Sequence, residues 1–275
     1  ALAPGFNWNG GRIRNVQFRS WFIALPLAAV ISAFWVIYLG DRFSQSFSFM
    51  TFIFVLLACW LLLLTLSHPF LQAQTGSGLL GSLRQRGGSY WGMIIAHSGL
   101  AITALGITFT TTYSQQNDVR MQIGDSIDVA AYRFELRSLT PVRGPNYQST
   151  KAEVRVYPAA LGVGRVVSEI ARLYPEKRIY NAGRNVMTEA GIGMGLSRDL
   201  YVSLGEQLDA NSWSVRVYVK PYIRLVWLGA IFMALGGVTA ALDKRYKKRL
   251  RQQASVEEGT LDNSHPPNTS AASLL

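Results

Sequence analysis

The chain holds one cysteine, Cys59, and three histidines in 275 residues. A lone cysteine excludes an internal disulfide, and no Cys-x-x-Cys pair is present for redox or metal chemistry. Cys59 lies inside an apolar run, where a buried, inert thiol is expected. Charge is scarce as well: 16% of residues are charged, against about a quarter in soluble domains. Acidic residues are the rarer kind, with 16 Asp and Glu against 27 Lys and Arg and a net charge of +11. Eleven of the cations cluster in three short segments beside hydrophobic runs, Arg12 to Arg19, Arg84 to Arg86 and Lys244 to Arg251. Such clustering is what the positive-inside rule produces, so no nucleic-acid partner is expected. No Met opens the chain and Ala1 begins no signal-peptide pattern, so a clipped start with a missing N-terminal part is expected.

What is abundant is apolar sequence, 49% of the chain. Four runs approach the roughly 20 residues that a bilayer of about 30 Å requires of a helix. They are Trp21 to Leu39, Phe47 to Leu66, Tyr90 to Thr110 and Tyr222 to Leu242, with aromatic residues at several ends. The basic segments set the orientation. Residues 12–19, the connection from His68 to Ser89 and the tail from Lys244 belong on the cytoplasmic side, and the turn from Gly40 to Ser46 belongs outside. Tyr113 to Pro221 is then an outer domain, periplasmic in a Gram-negative bacterium. The expected class is an α-helical integral membrane protein with an inserted all-β domain, multi-pass in the bacterial inner (cytoplasmic) membrane. The last stretch, Gln252 to Leu275, is Ser/Asn/Pro/Ala-rich and expected to be disordered.

Within residues 113–221, apolar or aromatic residues fall at every second position in Asp118–Ile123, Tyr132–Leu136, Glu153–Tyr157, Leu200–Leu204 and Trp213–Val219. Turn residues separate these runs, as in Gly144–Pro145–Asn146 and Asp209–Ala210–Asn211. About five or six short strands suggest a small antiparallel barrel or sandwich. Gly191–Ile192–Gly193–Met194–Gly195 resembles a phosphate loop only in glycine content, and a flexible loop is expected there. The domain has neither His nor Cys, and no two of its carboxylates are marked as a pair, so no catalytic residue is assigned.

Of the histidines, His265 lies in the tail and receives no role. His68 is expected to end the second helix at the interface, snorkelling or capping the last carbonyls. His97 stands about 10 Å below the cytoplasmic start of the third helix, at about 1.5 Å per residue. A polar ring at that depth needs a partner, and apart from Arg224 at the outer end of the fourth span no charged residue lies inside the four spans. Gly92, Gly99 and Gly106 recur with Ala96 and Thr103 between them, forming a small-residue seam for another helix. At about 100° per residue, His97 lies on the opposite face, with Met93, Ala101 and Ala104. The two alanines leave room for a flat apolar object such as a haem macrocycle. An interhelical hydrogen bond and a cofactor ligand both remain open for His97 on these grounds.

Short strings in order along the chain carry a resemblance. They are Ser89-Tyr-Trp-Gly-Met-Ile-Ile-Ala-His97, Asp118-Val-Arg-Met121, Gly124-Asp-Ser, Tyr174-Pro-Glu-Lys-Arg-Ile-Tyr180, Met187-Thr-Glu-Ala190, Arg198-Asp-Leu-Tyr201, Lys220-Pro-Tyr-Ile-Arg224 and the pair Gly236 and Gly237. From about Ser89 to Arg249 the chain resembles the C-terminal third of the CcmF family of cytochrome c maturation proteins. That resemblance implies a subunit of a haem lyase, which attaches haem covalently to apocytochrome c on the periplasmic side. It implies that His97 is one axial ligand of a haem b whose iron takes its other ligand from a helix this chain lacks. The family's tryptophan-rich segment and its two flanking histidines are also not in this chain, which is then a truncated copy or one part of a split protein, incomplete for catalysis alone. The implied partners are the missing N-terminal part, a periplasmic haem chaperone, thioredoxin-like proteins that present apocytochrome, apocytochrome c itself and membrane lipid. Two other readings are a haem or solute transport component, with His97 on its path, and a membrane-anchored structural docking subunit.

Overall fold

The computed structural model describes residues 15–71, 86–159, 168–183 and 185–243. Arg12, Arg14, Arg84, Lys244 to Arg251, His265 and the rest of the tail lie outside these residues, so the basic segments that set the expected orientation are mostly not described. Among the described residues four helices are present: α1 (Asn15–Arg42), α2 (Phe49–Leu71), α3 (Gly88–Tyr113) and α4 (Ile223–Ala241). Each is long and apolar enough to cross a membrane.

Helix α2 runs antiparallel to α3. Thr51 near the start of α2 meets Thr112 near the end of α3, hydroxyl to hydroxyl at 3.1 Å. At the other end His68 meets Tyr90. Helix α4 packs on a different side of α3 through the glycine seam. A Cβ placed on Gly92 would fall 2.5 Å from the carbonyl oxygen of Gly236, and one on Gly106 would fall 2.7 Å from the backbone nitrogen of Val226. Real side chains do not approach backbone so closely, so only glycine lets these two helices meet at this distance. Gly236 packs against Ala96 and Gly92, whereas its neighbour Gly237 faces open space.

Between α3 and α4 the chain forms an antiparallel sandwich of ten strands among the described residues. One sheet has the order β1 (Gln115–Gln122), β10 (Ser212–Pro221), β9 (Arg198–Asp209), β8 (Gly191–Gly193). The other has the order β2 (Ser126–Val129), β3 (Tyr132–Arg143), β4 (Tyr147–Pro158), β6 (Glu176–Tyr180), β7 (Val186–Glu189), with β5 (Ala171–Leu173) also on β4. The strand period explains the core. Val215, Val217 and Val219 of β10 and Leu200, Val202 and Leu204 of β9 point inward from one sheet, against Phe134, Leu136, Ala152, Val154 and Val156 of the other.

The strands expected from alternation lie within or largely overlap β1, β3, β4, β9 and β10, and the five shorter strands are additions to the expected five or six. Gly191–Gly195 is a correction. Instead of a wholly flexible loop, Gly191–Gly193 is strand β8, paired with Leu200–Val202 of β9. Its glycines are explained by close packing, since a Cβ on Gly191 would lie 2.8 Å from the backbone nitrogen of Tyr174.

Candidate functional site

His97 projects from α3 with its ring half-buried. Its Nδ1 lies 2.9 Å from the carbonyl oxygen of Met93, one turn back on the same helix. A carbonyl can only accept, so Nδ1 carries the proton and donates. In the neutral ring this fixes the tautomer and leaves Nε2 its lone pair. Among the described residues Nε2 has no hydrogen-bond partner. The expectation that the whole ring needs a hydroxyl, another chain segment or a metal is therefore corrected in part: one nitrogen is satisfied by its own backbone, and the requirement falls on the other.

The face around His97 is also narrower than helical period suggests. Tyr90, Ala101 and Thr112 are each eleven residues apart, which brings them onto one stripe at about 20° per step. Helix α2 touches both ends of that stripe, and Ala101 between them is fully buried. Ala101 therefore offers no space for a cofactor. The side that remains open carries Ala104, half-buried, with Leu100 and Ile107 exposed at 49% and 52%. His97 sits on the border between this open apolar face and the face covered by α2.

His68 does not end its helix, which continues through Pro69 to Leu71. Its Nδ1 lies 2.8 Å from the Tyr90 hydroxyl, the two rings lie 5.5 Å apart, and the Arg86 guanidinium covers Tyr90 at 4.6 Å. Tyr90 was legible as an interfacial aromatic but not as the partner of His68, since only the antiparallel packing of α2 on α3 joins them. Beside it, Asp243 at the end of α4 accepts a hydrogen bond from the Ser89 N–H at 2.8 Å, closing the first turn of α3. Cys59 is buried in the helix cluster with Ala28 and Val55.

In the sandwich the carboxylates are held by arginines. Arg216 grips Asp118 with two bonds of 2.7 and 2.8 Å, Arg133 holds Asp128, and Arg178 bridges Glu176 and Glu189. Hydrogen bonding from these guanidinium groups holds Asp118 and Asp128 below the ordinary carboxylate value, and Arg172 does the same for Glu169. A groove of about 520 Å³ opens at the end of the sandwich away from the helices, lined by Arg143, Lys177, Ile179 and Trp213. Among the described residues no three His, Cys, Asp or Glu side chains gather where they could hold a metal ion. A bare ion ligated by several side chains does not fit His97. An iron already held by a macrocycle fits the donor set, because it asks the protein for only one imidazole at each axial position.

Residues 112–221 match the family model described as the CcmF C-terminal beta-sandwich. Over 260 residues the chain is 37% identical to the cytochrome c-type biogenesis protein CcmF of Escherichia coli (strain K12), covering 94% of this chain and 37% of that protein. Against the protein of the same name from Pseudomonas aeruginosa the identity is 40% over 227 residues, 82% of this chain and 33% of the relative. The chain belongs to the CcmF family and matches its C-terminal portion. A solved structure, that of the cytochrome c haem lyase CcmF, superimposes with a TM-score of 0.60 at 17% identity, over 86% of this chain and 36% of its own. That likeness shows the shared fold. The chain thus spans little more than a third of the length of the CcmF proteins it matches. With its four apolar helices, this CcmF-family chain is a multi-pass membrane protein.

Proposed function

We propose that the chain acts in cytochrome c maturation, as the C-terminal part of a haem lyase subunit that holds haem b within the inner membrane. In this reading His97 is an axial ligand of the haem iron. The single observation that carries it is the oriented imidazole of His97: the Met93 carbonyl accepts a hydrogen bond from Nδ1, and Nε2 is left as a ligand nitrogen at the edge of an open apolar face. A hydrogen bond from the other ring nitrogen is how proteins orient imidazole toward a metal and raise its basicity. The names of the relatives, cytochrome c-type biogenesis protein CcmF, support the process.

Bound at this face, haem b supplies one-electron chemistry at a potential set by its ligands and its apolar surroundings. The residues of this chain do the rest. Met93 orients the ring, Ala104 leaves space beside it, and Leu100 and Ile107 exclude water. A second ligand would come from a helix outside this chain. The sandwich, facing the periplasm in this orientation, supplies no catalytic side chain. It serves as a docking platform for a haem chaperone, thioredoxin-like apocytochrome-presenting proteins and apocytochrome c.

The test is the reduced absorption spectrum of the full-length protein in detergent, as wild type and as His97→Ala. Loss of a b-type signal in the variant, restored by added imidazole, supports axial ligation. An unchanged spectrum, or a wild type without haem, overturns it and favours a membrane-anchored docking subunit.

A further inference from the structure

The turn between β8 and β9, residues 194–197, lies where α4 begins. Pro221 at the end of β10 pairs with Arg198 at the start of β9, and the Tyr222 N–H donates to the Ser197 carbonyl at 2.9 Å. Tyr222 is the residue before the first turn of α4, an apolar span. Ser197 is thus held at the depth at which the chain passes from the sandwich to the membrane helix. The neighbouring strand β1 begins at Gln115, two residues after α3 ends at Tyr113, so no linker raises the sandwich away from this level.

At this position the turn presents two large apolar side chains outward. Met194 is 73% exposed and Leu196 93% exposed. Single exposed apolar residues are common on protein surfaces and carry no meaning by themselves. Here they are paired, they sit beside a transmembrane span, and the turn that carries them is braced. The nearly buried carboxylate of Asp199 accepts from the Gly195 N–H at 3.0 Å and from Arg224 Nε at 3.2 Å. Gly195 packs so tightly that a Cβ there would fall 2.7 Å from the Arg198 carbonyl oxygen.

The surroundings have the composition of a lipid headgroup layer's partner. Arg198 lies over the Tyr132 ring at 4.8 Å, and Lys220 lies between the rings of Tyr201 and Tyr218 at 4.9 and 5.2 Å. Arg224, paired with Asp199, stands beside them in the first turn of α4. Tyrosines and cations favour the headgroup level, while Met and Leu favour the acyl boundary just below it.

We propose that the β8–β9 turn is a membrane-surface anchor, in which Met194 and Leu196 insert into the leaflet where α4 begins while Arg198, Lys220 and Arg224 meet the headgroups. Two apolar tips braced against α4 fix the attitude of the sandwich over the bilayer. This inference rests on the membrane-spanning fold and is independent of any haem.

The full-length protein is prepared with Cys59 and any other cysteines replaced by serine. Leu196→Cys, or Met194→Cys as a second variant, is labelled with an environment-sensitive fluorophore. The protein is then placed in nanodiscs of phosphatidylcholine and phosphatidylglycerol. Asn211→Cys, in the exposed turn at the far end of the sandwich, is the reference. Insertion predicts blue-shifted emission and about twofold or greater quenching by lipids bearing a spin label near the headgroup, with little quenching by aqueous iodide. The Asn211 label shows the reverse. Iodide quenching at residues 194 and 196 equal to that at residue 211 overturns the proposal, because the turn is then in water. Protection from both quenchers also overturns it, because the turn is then covered by protein.

Discussion

Gly99 and Gly229 face one another across the α3–α4 contact so closely that a Cβ on Gly99 would fall 2.6 Å from the Gly229 carbonyl oxygen. A backbone atom on the far side cannot step aside as a flexible side chain can. Gly99→Val is therefore expected to destabilise the helix pair by about 1–3 kcal/mol or more, the usual range for overpacking. Gly237→Ala, one position from the seam but facing open space, is expected to change stability by no more than about 0.5 kcal/mol. Thermal inactivation followed by size-exclusion chromatography in detergent separates the two. Equal behaviour of both variants would remove the close glycine contact as the basis of the packing.

The two membrane histidines make different partnerships, which gives a second prediction. Tyr90→Phe removes the hydroxyl bonded to His68 and leaves the Met93–His97 bond untouched. The expected cost is about 0.5–1.5 kcal/mol of stability, the net value of one hydrogen bond, and the thermal midpoint reports it. Any haem absorbance should survive in Tyr90→Phe and vanish in His97→Ala. Loss of the signal in both variants would mean that His68 and His97 act as one unit.

Acid should expose the third relationship, between Asp118 and Arg216. These residues stand directly opposite in the β1–β10 ladder and form a bidentate pair. The guanidinium hydrogen bonds hold the Asp118 carboxyl below its ordinary value of 3.8. A carboxylate with a depressed folded-state pKa contributes stability above its unfolded value, and that contribution fades as pH falls through the folded value. Asp118→Asn is therefore expected to melt slightly below wild type at neutral pH. The gap should close only in acid more extreme than the ordinary carboxylate range. Both partners are substantially exposed, so added salt should shrink the neutral-pH difference. A gap that stays constant down to the acid limit would show that the pair contributes nothing through its charge.

What could be read from the residues depended on whether a pattern was local. The transmembrane runs were legible because apolar length alone specifies them, and the Gly92, Gly99 and Gly106 seam was legible because its period is its own signature. The long strands carried Val215, Val217 and Val219, or Leu200, Val202 and Leu204, at the pleat spacing. Strand β6 was hidden because the run Glu176, Lys177 and Arg178 carries no apolar alternation, and Arg178 is tied to Glu189 on β7 only in the folded sheet. Strand β8 was hidden because glycines carry no alternation, and its pairing with β9 is a tertiary fact. Ala101 misled for the same reason. Helical period put it beside His97, but only the position of α2 buries it.

The join between strand β10 and helix α4 has a mechanical consequence. A single residue, Tyr222, separates them; its φ of 54° is unusual for a side-chain-bearing residue, and its ring is wedged against Trp35 and Phe109. The Thr110 hydroxyl also donates to the Pro221 carbonyl, tying the end of α3 to the same corner. The sandwich therefore has no hinge where it meets the helices. A torque applied by a guest pressing on its outer end passes through this corner into the α3–α4 pair, and α3 is the helix on which His97 is mounted.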